Sequence, residues 1–91
     1  MAQVKVTFLD PVTDSEMQGT QVDDQSTVQQ TVENLLRSDF IKPVADPSKH
    51  YVLHVKGKME LNDETQRLAD ARIVDGDVIK VLVAQRGGVA R

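Results

Sequence analysis

The chain has no cysteine and no tryptophan. Without cysteine there can be no disulfide, no thiolate metal site and no cysteine nucleophile. Aromatic residues are only 3% of the 91 residues, so the core must be built from Val, Leu and Ile. No apolar run approaches the roughly 18 residues that suggest a membrane span. The start, Met1-Ala2-Gln3-Val4-Lys5, lacks the apolar stretch of a signal peptide, and the expected location is the cytoplasm. Basic excess is missing too: the net charge is -3, with no cluster of Lys or Arg, which argues against nucleic acid as a partner. No Ser/His/Asp arrangement, paired acid site or phosphate loop stands out, so the chain is expected not to be an enzyme and to hold no cofactor of its own.

What is present is the composition of one small folded domain, 40% apolar and 27% charged. A chain this short has a limited core and modest expected stability. Val4, Val6 and Phe8 alternate with Lys5 and Thr7, which predicts a half-buried strand over Gln3 to Leu9. Asp10-Pro11 and Asp14-Ser15 form a turn. A second strand, Glu16 to Val22, completes a hairpin, and its Gly19 suggests a bulge. Ser26-Thr27-Val28-Gln29 fits a capping box with Ser26 as the cap. Val28, Val32, Leu35 and Leu36 then lie on one face of a helix expected from Thr27 to about Ser38. Phe40 and Ile41 are expected to fold back onto the core.

Pro43 and Pro47 frame an irregular loop. Tyr51 to Val55 is a third strand, Lys56-Gly57 a tight turn, and Lys58 to Leu61 a short fourth strand. Leu68 to Ile73 reads as a single helical turn, and Asp75-Gly76-Asp77 as a turn. Val78 to Val83 is apolar on both faces, which predicts a central strand buried by its neighbours. One helix over a small mixed sheet is an α+β roll of ββαβ(β)β order. The expected division is a domain over residues 1–85 and a flexible tail over 86–91. His50 and His54 are four apart, a spacing that would share one face of a helix, but this segment reads as the start of a strand, so no metal site is expected. The Asp75-Gly76-Asp77 turn is too short for a calcium loop.

The tail carries the chemistry. Gln85-Arg86-Gly87-Gly88 follows the last predicted strand, and Val89-Ala90-Arg91 comes after it. Glycine has no Cβ, so a Gly-Gly segment is thin and can thread a narrow channel to an adenylation site. The domain's interface must then supply the entropy cost of ordering it.

This order of elements and these motifs resemble the β-grasp fold of ubiquitin and its relatives. The resemblance covers most of the chain and is densest from Tyr51 to Gly88. It rests on Gly57-Lys58 in the turn after the third strand, Leu61, the polar loop from Asn62 to Arg67, the Leu68-Ala69-Asp70-Ala71-Arg72-Ile73 turn, and Arg86-Gly87-Gly88 after the last strand. Ser26-Thr27-Val28 resembles ubiquitin's helix start. The loops Asp10 to Ser15 and Phe40 to His50 are longer than ubiquitin's.

The resemblance implies a protein modifier of bacterial type. Gly88 would be the acyl donor for conjugation to a target protein, with Gly87 and Arg86 guiding the tail. A peptidase would cut between Gly88 and Val89, making this chain a precursor. His54, Lys80 and Leu82 stand where ubiquitin has its Ile, His and Val recognition patch, and two of the three are changed. Ala84 stands where ubiquitin has an Arg that helps select its activating enzyme, which implies a different cognate enzyme. Lys58 stands at a chain-linking lysine and is a possible acceptor. The implied partners are an E1-like activating enzyme that uses ATP, an E2-like conjugating enzyme, and a JAB-type or other deconjugating peptidase; the modifier itself is expected to be a monomer. Two rival readings remain open. One is a non-covalent β-grasp module of the secretion-associated type, whose Leu-x-Asp-x-x-Ile and Asp-Gly-Asp pattern Leu68 to Asp77 resembles. The other is a sulfur carrier with a C-terminal thiocarboxylate.

Overall fold

Val4, Val6 and Phe8 form the first inward row of a five-stranded sheet in a computed structural model that describes residues 3–13 and 15–85. The strands are β1 (Gln3–Leu9), β2 (Glu16–Asp23), β3 (Lys49–Val55), β4 (Glu60–Leu61) and β5 (Val78–Gln85). A helix, α1 (Val28–Arg37), joins β2 to β3, and a 3₁₀ turn (Leu68–Ala71) precedes β5. The sheet order is β2-β1-β5-β3-β4. β1 and β5 are parallel neighbours, and the other pairings are antiparallel. This is the expected α+β roll.

The hairpin forms where the alternation predicts, and the bulge sits at Gly19. Val6 pairs with Thr20 but Phe8 pairs with Met17, so β2 carries one extra residue between them. Gly19 takes φ +65 there, a conformation that costs other residues energy.

The cap is shifted by one residue from the sequence reading. Thr27, not Ser26, caps α1: its Oγ1 accepts from the Gln30 amide at 3.1 Å, and Gln30 Oε1 accepts from the Thr27 amide at 2.9 Å. Tertiary pairing decides this. Thr27 forms an isolated antiparallel bridge with Arg67, and the Ser26 carbonyl accepts from the Leu68 amide at 3.0 Å. The polar loop also covers the helix start, since Val28 N donates to Gln66 O at 2.8 Å and Gln29 N to Glu64 O at 3.1 Å. The donors a helix leaves unpaired at its start are thus satisfied. At the other end, Phe40 N donates to Leu35 O and Asp39 N to Leu36 O, both at 3.1 Å, with Asp39 at φ 62. This is a Schellman end with Asp in place of the usual Gly. It turns Phe40 and Ile41 back against the core, and Ile41 is buried.

The inward faces of the strands, Leu35 of the helix, and Leu61, Leu68 and Ile73 form one core. Four strands begin or end elsewhere than expected: β2 runs one residue further, to Asp23, and β5 two further, to Gln85. β3 starts at Lys49, and Lys58 and Met59 belong to the turn before β4. β5 is central in the sheet, but only one of its faces is deeply buried. Ile79 and Val81 enter the core, whereas Lys80 and Leu82 are half-buried on the other face. Val83, beyond the cover of the helix, is 46% exposed. One helix covers one face of a sheet, so apolarity on both faces of β5 cannot mean burial on both. Among the described residues, no helix is long and apolar enough to cross a membrane.

Candidate functional site

The outer face of the sheet, opposite the helix, gathers most of the sequence-predicted surface. Side chains alternate along a strand, so Lys80, Leu82 and Ala84 follow one another on the outer side of β5. Across the ladder, His54 pairs with Lys80, Val52 with Leu82 and His50 with Ala84. On the other side, Leu9 pairs with Lys80 in the parallel ladder. His54, Lys80 and Leu82 therefore do share one surface, with Leu9 and Val52 beside them.

Leu9 and Val52 are additions that the sequence reading missed. They are 7% and 1% exposed, yet neither belongs to the main core cluster. The signal was present as apolar doublets: Phe8-Leu9, Val52-Leu53 and Val81-Leu82. In a strand only one member of such a doublet can face the helix-side core, so the other supplies an apolar base to the outer face. Val12 is a second omission. It is 87% exposed in the β1–β2 turn, where Asp10 Oδ1 accepts from the Val12 and Thr13 amides at 2.7 and 2.9 Å. The Thr13 and Val12 amides, against a smaller opposing effect of burial, hold the Asp10 carboxyl below its usual value. β1 and β5 run parallel, so this turn stands at the end of the sheet where β5 finishes at Gln85. Arg86, Gly87, Gly88 and Val89 lie outside the described residues.

Lys58 is not part of this surface. It lies at the opposite end of β5, where its Nζ donates to Asp77 Oδ2 at 2.7 Å and to the Arg72 carbonyl at 2.6 Å. Asp77 Oδ2 also accepts from the Val74 amide at 2.9 Å. Burial pushes the Asp77 carboxyl up, but the hydrogen bonds from Lys58 and Val74 and the charge of Lys58 outweigh it, and the group sits below its usual value. Val78 and Ala84 are six strand steps apart, which separates Lys58 from the tail end of β5 by about 20 Å. As a nucleophile, the Lys58 amine must first leave both partners. No group of metal-ligating side chains occurs among the described residues.

No protein-family model and no curated protein matches the chain. Solved structures do. A ubiquitin-like domain from Arabidopsis thaliana aligns with a TM-score of 0.66 at 20% identity, over 100% of this chain and 87% of that one. Caldiarchaeum subterraneum ubiquitin aligns with a TM-score of 0.64 at 19% identity, over 96% and 100% of the two chains. The EccD5 ubiquitin-like domain from Mycobacterium xenopi aligns with a TM-score of 0.60 at 14% identity, over 93% and 98%. The fold is thus the ubiquitin-like β-grasp.

Proposed function

We propose that the chain is a ubiquitin-like protein modifier precursor. Hydrolysis of the Gly88–Val89 bond by a deconjugating peptidase frees the Gly88 carboxylate. An activating enzyme then adenylates that carboxylate with ATP and passes the acyl group to a thiol and finally to an amine of a target protein. The chain supplies a substrate carboxylate and no catalytic residue, and acts in the cytoplasm. Gly87 and Arg86 lead the tail into the activating enzyme, while His54, Lys80 and Leu82 offer the docking face over the buried Leu9 and Val52. The observation that carries this reading is the sequence Arg86-Gly87-Gly88 directly after a β5 that ends at Gln85 in a ubiquitin-like fold.

The test is intact-mass analysis of the protein from its native host, with a chain ending at Gly88 incubated in host lysate with ATP. Expected are a mature form ending at Gly88 and higher-mass conjugates that disappear when Gly88 is replaced. A protein that stays intact past Gly88 and forms no conjugate refutes the modifier. The likeness to the EccD5 domain favours a second reading, a non-covalent interaction module, and that outcome would select it.

A further inference from the structure

Asp75-Gly76 is the one Asp-Gly step in the sequence, and the fold requires both of its residues. Asp77 N donates to Val74 O at 3.1 Å across a turn in which Gly76 takes φ +92. A positive φ at the third position makes this a type II turn, which selects glycine there. A Cβ on Gly76 would meet nothing within 4 Å, so backbone conformation and not space is the reason. Asp75 is required for its side chain. Its Oδ1 accepts from the Lys5 amide at 2.9 Å, while Gly76 N donates to the Lys5 carbonyl at 2.8 Å. One residue of β1 thus holds both halves of the step.

The same pair is chemically labile. Glycine puts no Cβ beside its amide nitrogen, so the Gly76 nitrogen is an unhindered internal nucleophile for the Asp75 side-chain carboxyl carbon. Asp10 and Asp46 precede proline, which has no N–H and cannot react in this way. In the ring-closing step the new N–C bond forms, and the protonated carboxyl loses its hydroxyl, which leaves as water with the amide proton. A five-membered succinimide results. Water then adds to the former backbone carbonyl, the bond from that carbon to the Gly76 nitrogen breaks, and the nitrogen stays joined to Cγ. The product is an isoaspartate, with an extra CH₂ in the backbone and a free α-carboxylate beside it. Water lost in the first step is regained in the second. For the ring to close, the Gly76 N–H must leave the Lys5 carbonyl and the Asp75 carboxyl must leave the Lys5 amide.

We propose that Asp75-Gly76 is a latent isoaspartate-forming site that Lys5 holds closed, and that it reacts when the start of β1 opens. Thr7 N donates to Asp77 O at 3.0 Å and Thr7 pairs with Val78, so the Lys5 link lies at the outer end of the β1–β5 contact. Opening at such an end costs less than global unfolding. Conversion then prevents the link from re-forming. The extra CH₂ displaces Gly76 N from Lys5 O, and the carboxylate that accepted from Lys5 N now sits on Cα. A chain that has opened is thereby marked, and the marked residue is a substrate for a carboxyl methyltransferase that uses S-adenosylmethionine. The site belongs to the folded domain and stands whether or not the tail is conjugated.

The test incubates the full chain in warm neutral buffer, native and in concentrated urea, and counts isoaspartate by methyl transfer from S-adenosylmethionine with an isoaspartyl methyltransferase. Trypsin releases the peptide Ile73 to Lys80, whose converted form keeps its mass but elutes separately. Electron-transfer fragmentation places the change at Asp75 or Asp77. Conversion at Asp75 should be at least about tenfold faster in urea than in the native chain. Lys5→Pro removes the amide that donates to Asp75 Oδ1 and should raise native conversion at least about threefold. The purified isoaspartyl chain should melt about 5–15 °C lower than the unconverted one. Equal rates in the native and unfolded chain, no conversion in urea, conversion centred on Asn62, Asp63 or Asp77, or an unchanged rate in folded Lys5→Pro would each overturn the proposal. Should Lys5→Pro not fold, the wild type in urea below its midpoint decides: conversion that does not rise in step with Gly76 amide exchange refutes it equally.

Discussion

Replacing Lys58 by Met removes one charged group that ties three chain segments together. The Lys58 ammonium bonds the Arg72 carbonyl, where the backbone takes φ 54, and the Asp77 carboxylate, which in turn holds the Val74 amide. The two side chains of the ion pair are 30% and 15% exposed. Solvent at Lys58 puts the contribution below that of a buried charged pair, and the partial burial of Asp77 puts it above a surface pair. About 1–2 kcal/mol is the expected loss at neutral pH. For a domain of this size each kcal/mol moves the melting temperature by roughly 4–8 °C, so Lys58→Met should melt about 10 °C lower. The pH dependence follows from Asp77, whose carboxyl is held below the usual 3.8. A depressed folded value stabilises above the unfolded value and is lost as pH falls through the folded one. The wild type should therefore keep its advantage from neutral pH to about pH 5 and lose most of it below 3.8, where Asp77 becomes protonated. The Arg72 carbonyl bond survives acid, so a remnant of the gap remains. Circular dichroism melts of both proteins between pH 7 and pH 2.5 measure this. A difference under about 0.5 kcal/mol at pH 7, or one that does not shrink in acid, refutes the clamp. The same magnitude bears on function. Freeing the Lys58 amine costs on the order of a factor of ten in population, so an amine-reactive acylating reagent should label more loosely held lysines first, and Lys58→Met should leave that labelling unchanged.

Thr27→Ala should cost about 1 kcal/mol by urea titration, whereas Ser26→Ala should cost under about 0.5 kcal/mol, because only Thr27 caps the helix. Asp39→Gly should raise the denaturation midpoint, with a gain of about 0.5–1 kcal/mol, since Gly accepts φ 62 without the penalty Asp carries. Leu68→Ala, at a position with 0% exposure, should cost about 2–5 kcal/mol and bring the chain close to unfolding at 37 °C. On the proposed modifier reading, Leu82→Ser together with His54→Ala should weaken transfer by the activating enzyme more than about tenfold, read by single-turnover thioester formation.

Much of this protein was legible from local pattern. Alternation placed β1 at its true bounds, the helical spacing of Val28, Val32 and Leu35 placed α1 within a residue at each end, and Gly19 marked its bulge. These features depend on periods of two and 3.6 residues and on backbone freedom, all of which are local properties.

Three-dimensional pairing decided the rest. Ser26 and Thr27 are adjacent hydroxyls, each with a Gln three residues on, so the sequence alone offers two equivalent caps. The Thr27–Arg67 bridge and the Leu68 bond to Ser26 choose between them. Lys58 could be a free turn lysine or a strut, and a residue nineteen positions away determines which. The doublets Phe8-Leu9 and Val52-Leu53 name two apolar faces, but only the packing of α1 shows which one belongs to the main core. Local rules set where chain segments bend and coil; contacts between distant segments decide which of several equally good local options is used.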